Sequence, residues 1–201
     1  MRGKKLSVSA GAVLLAALVY YLYDLETVAA VLVPAATHEL GHLAALNLLG
    51  LRVNGFRAEL KGFCIDYSGY TGAMGHALAA AAGPMAGLWY AWAASMAGNR
   101  LDSDWLCLSA GVSLLLSLFN LLPALPLDGG RILEHLAGAF LGDKQGALLT
   151  ETVGAVVGAV LLAAGVLLMM HGRGIALALA AIWMLLYQDN RRGLVKGKEM
   201  L

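Results

Sequence analysis

Residues 27–49 read TVAAVLVPAATHELGHLAALNLL. A helix needs about 20 predominantly apolar residues to cross the hydrocarbon core of a bilayer. This run meets that length, and its polar cluster, Thr37, His38, Glu39 and His42, falls near the middle. Positions four apart share a helix face, so His38 and His42 can aim ring nitrogens at one point, with Glu39 beside it. This is the HExxH arrangement, in which two histidines bind zinc and the glutamate takes a proton from the attacking water. In a water-soluble helix such a trio could be mere surface polarity. Inside a spanning helix, ionisable side chains are expensive unless they face a cavity or bind something. The surroundings therefore favour a metal site as much as the motif does.

Composition extends the membrane reading to the whole chain. Hydrophobic residues occupy 60% of the 201 positions and charged residues 13%, with a mean hydropathy of +0.73. Soluble domains average roughly 45–50% apolar and about 25% charged residues. A globule of this chain would lack polar residues to cover itself with. The formal net charge of +1 gives no reason to expect nucleic acid, and no basic run is interleaved with aromatics as in a single-strand binder. Cys64 and Cys107 each stand alone among apolar neighbours, forming neither a disulfide framework nor a metal pair.

Scanning for spans gives six candidates: residues 7–23, 27–49, 73–97, 105–122, 147–170 and 175–187. The basic stretch from Met1 to Lys5 before an apolar run resembles a signal peptide. We favour an uncleaved first helix, because Ala29 and Ala30, the small residues a cleavage site would use, lie inside the next apolar run. With the N-terminus in the cytoplasm, only Arg100 and Arg173 of the Lys and Arg residues fall outside. That asymmetry is the positive-inside pattern. The expected fold is an all-α polytopic membrane protein with both termini cytoplasmic, a single domain over residues 1–201.

One segment, residues 51–70, is different in kind. Phe56, Ala58 and Leu60 alternate with Arg57, Glu59 and Lys61, and after Gly62 the alternation resumes through Phe63, Ile65 and Tyr67. Period two around a Lys61-Gly62 turn predicts a β-hairpin between the second and third helices. It either caps the bundle as a linker or offers a sheet edge to an extended substrate by strand addition.

Two histidines leave a catalytic zinc one protein ligand short, its fourth position being kept for water. His76, His135, His171, Glu134 and Glu151 lie at segment ends or in more polar stretches, where interfacial placement is the ordinary role. Asp128 stands apart. It follows Asn120-Leu121-Leu122-Pro123-Ala124-Leu125-Pro126-Leu127, where two prolines prevent regular helix. Broken backbone at membrane depth is tolerated chiefly where it is buried in protein or lines a cavity. Taken alone, Asp128 reads as the N-cap of a helix starting near Arg131. Beside an HExxH that lacks a ligand, it reads as the ligand, and the two roles are compatible.

His38-Glu39-Leu40-Gly41-His42, then Ala82-Gly83-Pro84, then Asn120-x-x-Pro123-x-x-Pro126-x-Asp128-Gly129-Gly130 together resemble the site-2 protease family of intramembrane zinc metalloproteases, the M50-like group. Order and spacing match over about residues 25–140. The short N-terminal portion looks most like the compact sporulation-type branch, which implies a bacterial cell membrane. The expectation is a member without the cystathionine-synthase-type (CBS) domain often found in that branch or the PDZ domain of another. The resemblance implies one catalytic zinc held by His38, His42 and Asp128, with Glu39 as general base. It also implies a membrane-protein substrate with a transmembrane or membrane-associated segment. Asn120 matches the motif asparagine, orienting substrate or the oxyanion; bonding to carbonyls freed by the proline break is the alternative.

The expected activity is hydrolysis of peptide bonds in or near the transmembrane segments of membrane-tethered substrates, as in regulated intramembrane proteolysis. A membrane metal or ion transporter using the same ligands is the rival, as is a catalytically inactive binding homologue. A transporter has no need of a glutamate between two ligands. With five histidines in all, a His-rich two-iron oxidase is excluded.

Overall fold

The computed structural model describes residues 5–8, 21, 23–59, 62–172 and 174–199. The chain folds as two compact units, Met1–Leu118 and Phe119–Leu201. In order, the elements of the first are β1 (Lys5–Val8), α1 (Leu25–Leu48), β2 (Arg52–Glu59), β3 (Gly62–Ser68), α2 (Ala73–Leu101) and α3 (Asp104–Asn120). The last residues of α3 begin the second unit, which continues with α4 (Asp128–Leu141), α5 (Asp143–Met169) and α6 (Ile175–Glu199).

Side-chain size is distributed inside out relative to a water-soluble protein. On α2 the buried positions include Gly75, Ala79, Gly83, Gly87 and Ala91, a row of small residues at four-residue spacing. Met85, Trp89 and Trp92 of the same helix are exposed. On α5 the buried stripe is Gly146, Thr150, Gly154, Gly158 and Gly165, while Val156, Val160 and Leu167 point outward. Helices in lipid gain nothing by hiding Leu from Leu-like tails, so small residues line the contacts and let backbones approach. Among the described residues two helices, α1 and α5, are long and apolar enough to cross a membrane; α3 is apolar but shorter, at 17 residues. At about 1.5 Å per residue, the 24 residues of α1 span roughly 36 Å.

Within the first unit, α1 packs along α2. A Cβ on Gly41 would lie 2.5 Å from the carbonyl oxygen of Ala82, so the two backbones meet where the HExxH motif has its glycine. Leu46, Leu51 and Ala79 form a small buried cluster that Ala45, Leu49 and Val53 extend toward β2. Asp24 caps α1, its Oδ1 accepting from the Thr27 N–H at 2.7 Å.

The predicted hairpin is present: β2 and β3 pair antiparallel, with Arg52 opposite Ser68 and Glu59 opposite Gly62. Lys61, the first turn residue, lies outside the described residues. A third strand was not expected. β1 pairs parallel with β2, Lys5 opposite Gly55 and Val8 opposite Ala58, which leaves β2 in the middle of a three-stranded sheet. Ser7 and Val8 are therefore strand rather than the start of a helix. The rest of the expected first helix, over residues 9–20 and Leu22, lies outside the described residues.

In the second unit, α5 packs against both α4 and α6. A Cβ on Gly165 would crowd the backbone of Ala178, and one on Gly158 would press on Leu185, so the α5–α6 seam is closed by missing side chains. Ala124, Leu127 and Met184 form the buried cluster beneath the proline-broken segment, with Phe119 and Trp183 packed against it.

Candidate metal centre

His38 and His42 stand one turn apart on α1, with ring centroids 4.9 Å apart and planes at 80°. Their Nε2 atoms are 3.2 Å from each other. His38 is buried and His42 half-buried, with Glu39 half-buried between them. The Nδ1 of His42 lies 2.8 Å from the carbonyl oxygen of Ala79 on α2. A carbonyl can only accept, so Nδ1 carries the proton, and in the neutral ring Nε2 keeps its lone pair. Ligating histidines in metal proteins typically donate their second ring N–H to such a group, fixing tautomer and orientation.

The pair can be tested against zinc by simple geometry. Two ligands at about 2.0–2.1 Å from a tetrahedral ion stand about 3.3 Å apart. The observed Nε2 separation of 3.2 Å agrees. Space agrees too, because a Cβ on Gly83 would fall on the His42 imidazole. The glycine of Ala82-Gly83-Pro84 is the cradle in which the ring sits. Pro84, fully buried, follows it and cannot donate a backbone hydrogen bond. The histidines therefore fit the ion that the motif implies.

In the second unit, Asp128 is the first residue of α4 and is buried. It is not the N-cap: that position is Leu127, which makes no side-chain cap bond. The helix starts three residues earlier than Arg131, because Gly129 and Gly130 let the chain turn inside its own preceding segment. A Cβ on Gly129 would overlap the Leu121 and Leu122 carbonyls, and one on Gly130 would overlap the backbone of Ala124 and Leu125. The carboxylate thus stands at the positive end of a helix, where anionic groups are favoured. Arg131, one turn on, approaches its Oδ1 at 3.9 Å.

Of the other sequence candidates, Glu134, His76 and His171 have polar partners of their own. Glu134 forms a two-pronged ion pair with Arg191, at 3.2 and 2.5 Å. The Nδ1 of His76 lies 3.2 Å from the Tyr67 hydroxyl, and His171 lies at the exposed end of α5. Asn120 is half-buried at the last position of α3. Sequence reasoning missed the parts played by Ala79 and Gly83. The Ala82-Gly83-Pro84 motif was the signal for Gly83, while Ala79 acts through its backbone carbonyl, which no side chain announces.

Fold and histidine pair together define a class: a helical membrane protein whose HExxH helix is of the metallopeptidase kind. The sequence profile of peptidase family M50 matches residues 95–165. The chain is similar to the provisionally named zinc metalloprotease Rip3 of Mycobacterium tuberculosis, 32% identical over 163 residues, 74% of this chain and 40% of Rip3. A similarly named protein of Synechocystis sp. is 28% identical over 152 residues, 72% of this chain and 40% of the relative. The chain thus spans about 40% of the length of these curated relatives. Its fold is similar to that of the site-2 protease from Methanocaldococcus jannaschii, with a TM-score of 0.70 and 19% identity over 94% of this chain and 91% of that one. Profile match, relatives and fold together support the site-2 protease family, peptidase family M50, for this chain.

Proposed function

We propose that this chain is an intramembrane zinc metalloprotease, hydrolysing peptide bonds in or near the transmembrane segments of membrane-tethered substrates. The observation that carries the reading is the pair of converging Nε2 atoms of His38 and His42, with the His42 tautomer set by Ala79. Asp128 is the third ligand in this reading, completing with His38 and His42 the protein donors that a catalytic zinc needs. Its support is chemical: a buried carboxylate on a helix start that two glycines make possible.

When bound, zinc supplies Lewis acidity, bringing the pKa of water toward about 7 and polarising the scissile carbonyl. Glu39, one position along the helix from His38, takes the proton of the attacking water on its carboxylate and returns it to the leaving amine. Asn120 orients the substrate or its developing oxyanion. A helical peptide has its carbonyls already bonded and must unwind before attack. The β3 strand, an edge of the sheet with β2 as its one neighbour among the described residues, is where an unwound segment would pair. Six spans with both termini in the cytoplasm of a bacterial cell are part of the same reading, supported by the placement of Lys and Arg.

The test uses detergent-purified protein, its bound metal measured, incubated with a panel of single-span membrane substrates. Glu39→Gln keeps zinc and loses cleavage; His38→Ala loses both. Cleavage retained by Glu39→Gln refutes the general base. Metal-dependent transport without proteolysis in the wild type refutes the protease reading altogether.

A further inference from the structure

Gln188 is an amide in a place that packing alone would give to an apolar side chain. It lies on the α6 face that also carries Ala181 and Met184, all three almost fully buried. Its Nε2 lies 3.2 Å from the carbonyl oxygen of Leu125, so it donates there. The opposite amide orientation would set oxygen against oxygen, and the carbonyl thus fixes which end is which. Its Oε1 is buried and has no hydrogen-bond partner among the described residues. Leaving a buried acceptor unmet costs about 1–3 kcal/mol. A methionine would fill the same volume without that cost, so the donor end is what this position uses.

Leu125 sits between the two prolines of the segment that precedes Asp128. Pro123 and Pro126 carry no N–H, so this stretch cannot hold itself with a helical ladder. Its own backbone bonds are few: Ala124 N–H to Leu122 O at 2.7 Å and Leu127 N–H to Ala124 O at 3.0 Å. Gln188 supplies a donor from outside. Met184, one turn earlier on α6, closes under Ala124 and Leu127, and Arg191, three residues later, grips Glu134 of α4. Gly154 of α5 completes the arrangement, because a Cβ there would lie 2.6 Å from the Gln188 Nε2.

We infer that Gln188 is a positioning residue: its amide clamps the Leu125 carbonyl and thereby sets the turn that presents Asp128. The inference rests on Asp128 being the third zinc ligand. Outer partners of metal ligands commonly contribute 10- to 100-fold in affinity or activity, roughly. Gln188 acts through the Leu125 backbone rather than on the carboxylate itself.

The experiment compares Gln188→Met, which keeps bulk and removes the donor, with Gly154→Ala, which keeps the glutamine and pushes it off the carbonyl. Met184→Leu serves as a packing control on the same helix face. Zinc release to a chelator is followed well below the unfolding temperature, and amide exchange at Leu127 and Arg131 is read in zinc-free protein. Both Gln188→Met and Gly154→Ala should release zinc about tenfold faster or more, with faster exchange at Leu127, while Met184→Leu stays near wild type. Wild-type release and exchange in a folded Gln188→Met protein overturn the clamp, as does equal loss in Met184→Leu. If Gln188→Met does not fold, Gly154→Ala decides by the same criteria. Asp128→Ala holding zinc as tightly as wild type removes the ligand reading instead, and Leu127 exchange then judges the clamp alone.

Discussion

The Nδ1–H of His42 donates to the carbonyl oxygen of Ala79 across 2.8 Å, joining the HExxH helix to its neighbour. Only a residue without a side chain at position 83 allows the imidazole to lie there. Gly83→Ala should therefore displace the His42 ring while leaving α2 helical, since alanine favours helix by about 1 kcal/mol over glycine. Zinc affinity should fall by roughly 10- to 100-fold, measured by competition with a chelator of known strength. Unchanged affinity would mean that the ring has room elsewhere and that the Ala79 bond is dispensable.

A sharper contrast comes from two glycines at different depths of the fold. Gly130 has the backbone of Ala124 and Leu125 against it, whereas nothing lies within 4 Å of a Cβ built on Gly111. Gly130→Ala should destabilise by about 1–3 kcal/mol through overpacking and weaken zinc retention as well. Gly111→Ala on α3 should be neutral or slightly stabilising. Thermal unfolding and bound-metal analysis of the two variants, side by side, check both halves.

The exposed middle of α5 distinguishes lipid from water as its surroundings. Val156 is 59% exposed. On the surface of a soluble protein, Val156→Lys would change stability by roughly 0.5 kcal/mol or less. At the centre of a spanning helix the same change costs about 2.5–3.5 kcal/mol in insertion. A clear drop in the membrane-inserted fraction is expected. Normal insertion of Val156→Lys would count against a lipid-facing α5.

Asp24 offers a pH-dependent test at the start of α1. Hydrogen bonds from Thr27 hold its carboxyl below the ordinary aspartate value of 3.8. A depressed folded-state value means the cap contributes fully above the ordinary pKa and fades as pH falls through the lowered one. Protection of the Thr27 amide should accordingly be flat near neutrality and decline only below about pH 4. Asp24→Asn, which caps without titrating, should remove that decline.

What the residues disclosed in advance follows the range of the interactions involved. His38, Glu39 and His42 were legible because a single helical turn brings them together, and the β2–β3 hairpin because its alternation and turn are contiguous. β1 was not, since its partner strand lies some fifty residues further along the chain and four residues carry too little pattern to reveal a pairing. Asp128 was recognised as special through the prolines before it. Its true place as the first residue of α4 depends on Gly129 and Gly130 packing against backbone, which no periodicity encodes. Gln188 stayed hidden for the same reason: nothing local distinguishes it from an interfacial amide at a helix end. The membrane reading came from composition and gains its physical form in the small-residue seams of α2 and α5.

Metal removal brings fold and chemistry into one measurement. An ion that binds the folded chain and not the unfolded one stabilises by about 4 kcal/mol when free metal exceeds its dissociation constant a thousandfold. For a chain of this size each kcal/mol moves the midpoint by about 2–4 °C. Chelation should therefore lower the unfolding temperature by roughly 10 °C, and added zinc should restore it. Glu39→Gln should keep the whole shift, because the glutamate moves protons and holds no metal in this reading. His38→Ala and Asp128→Ala should lose most of it. A shift of wild-type size in His38→Ala would place the stabilising ion away from the HExxH helix, and the catalytic assignment of Glu39 would go with it.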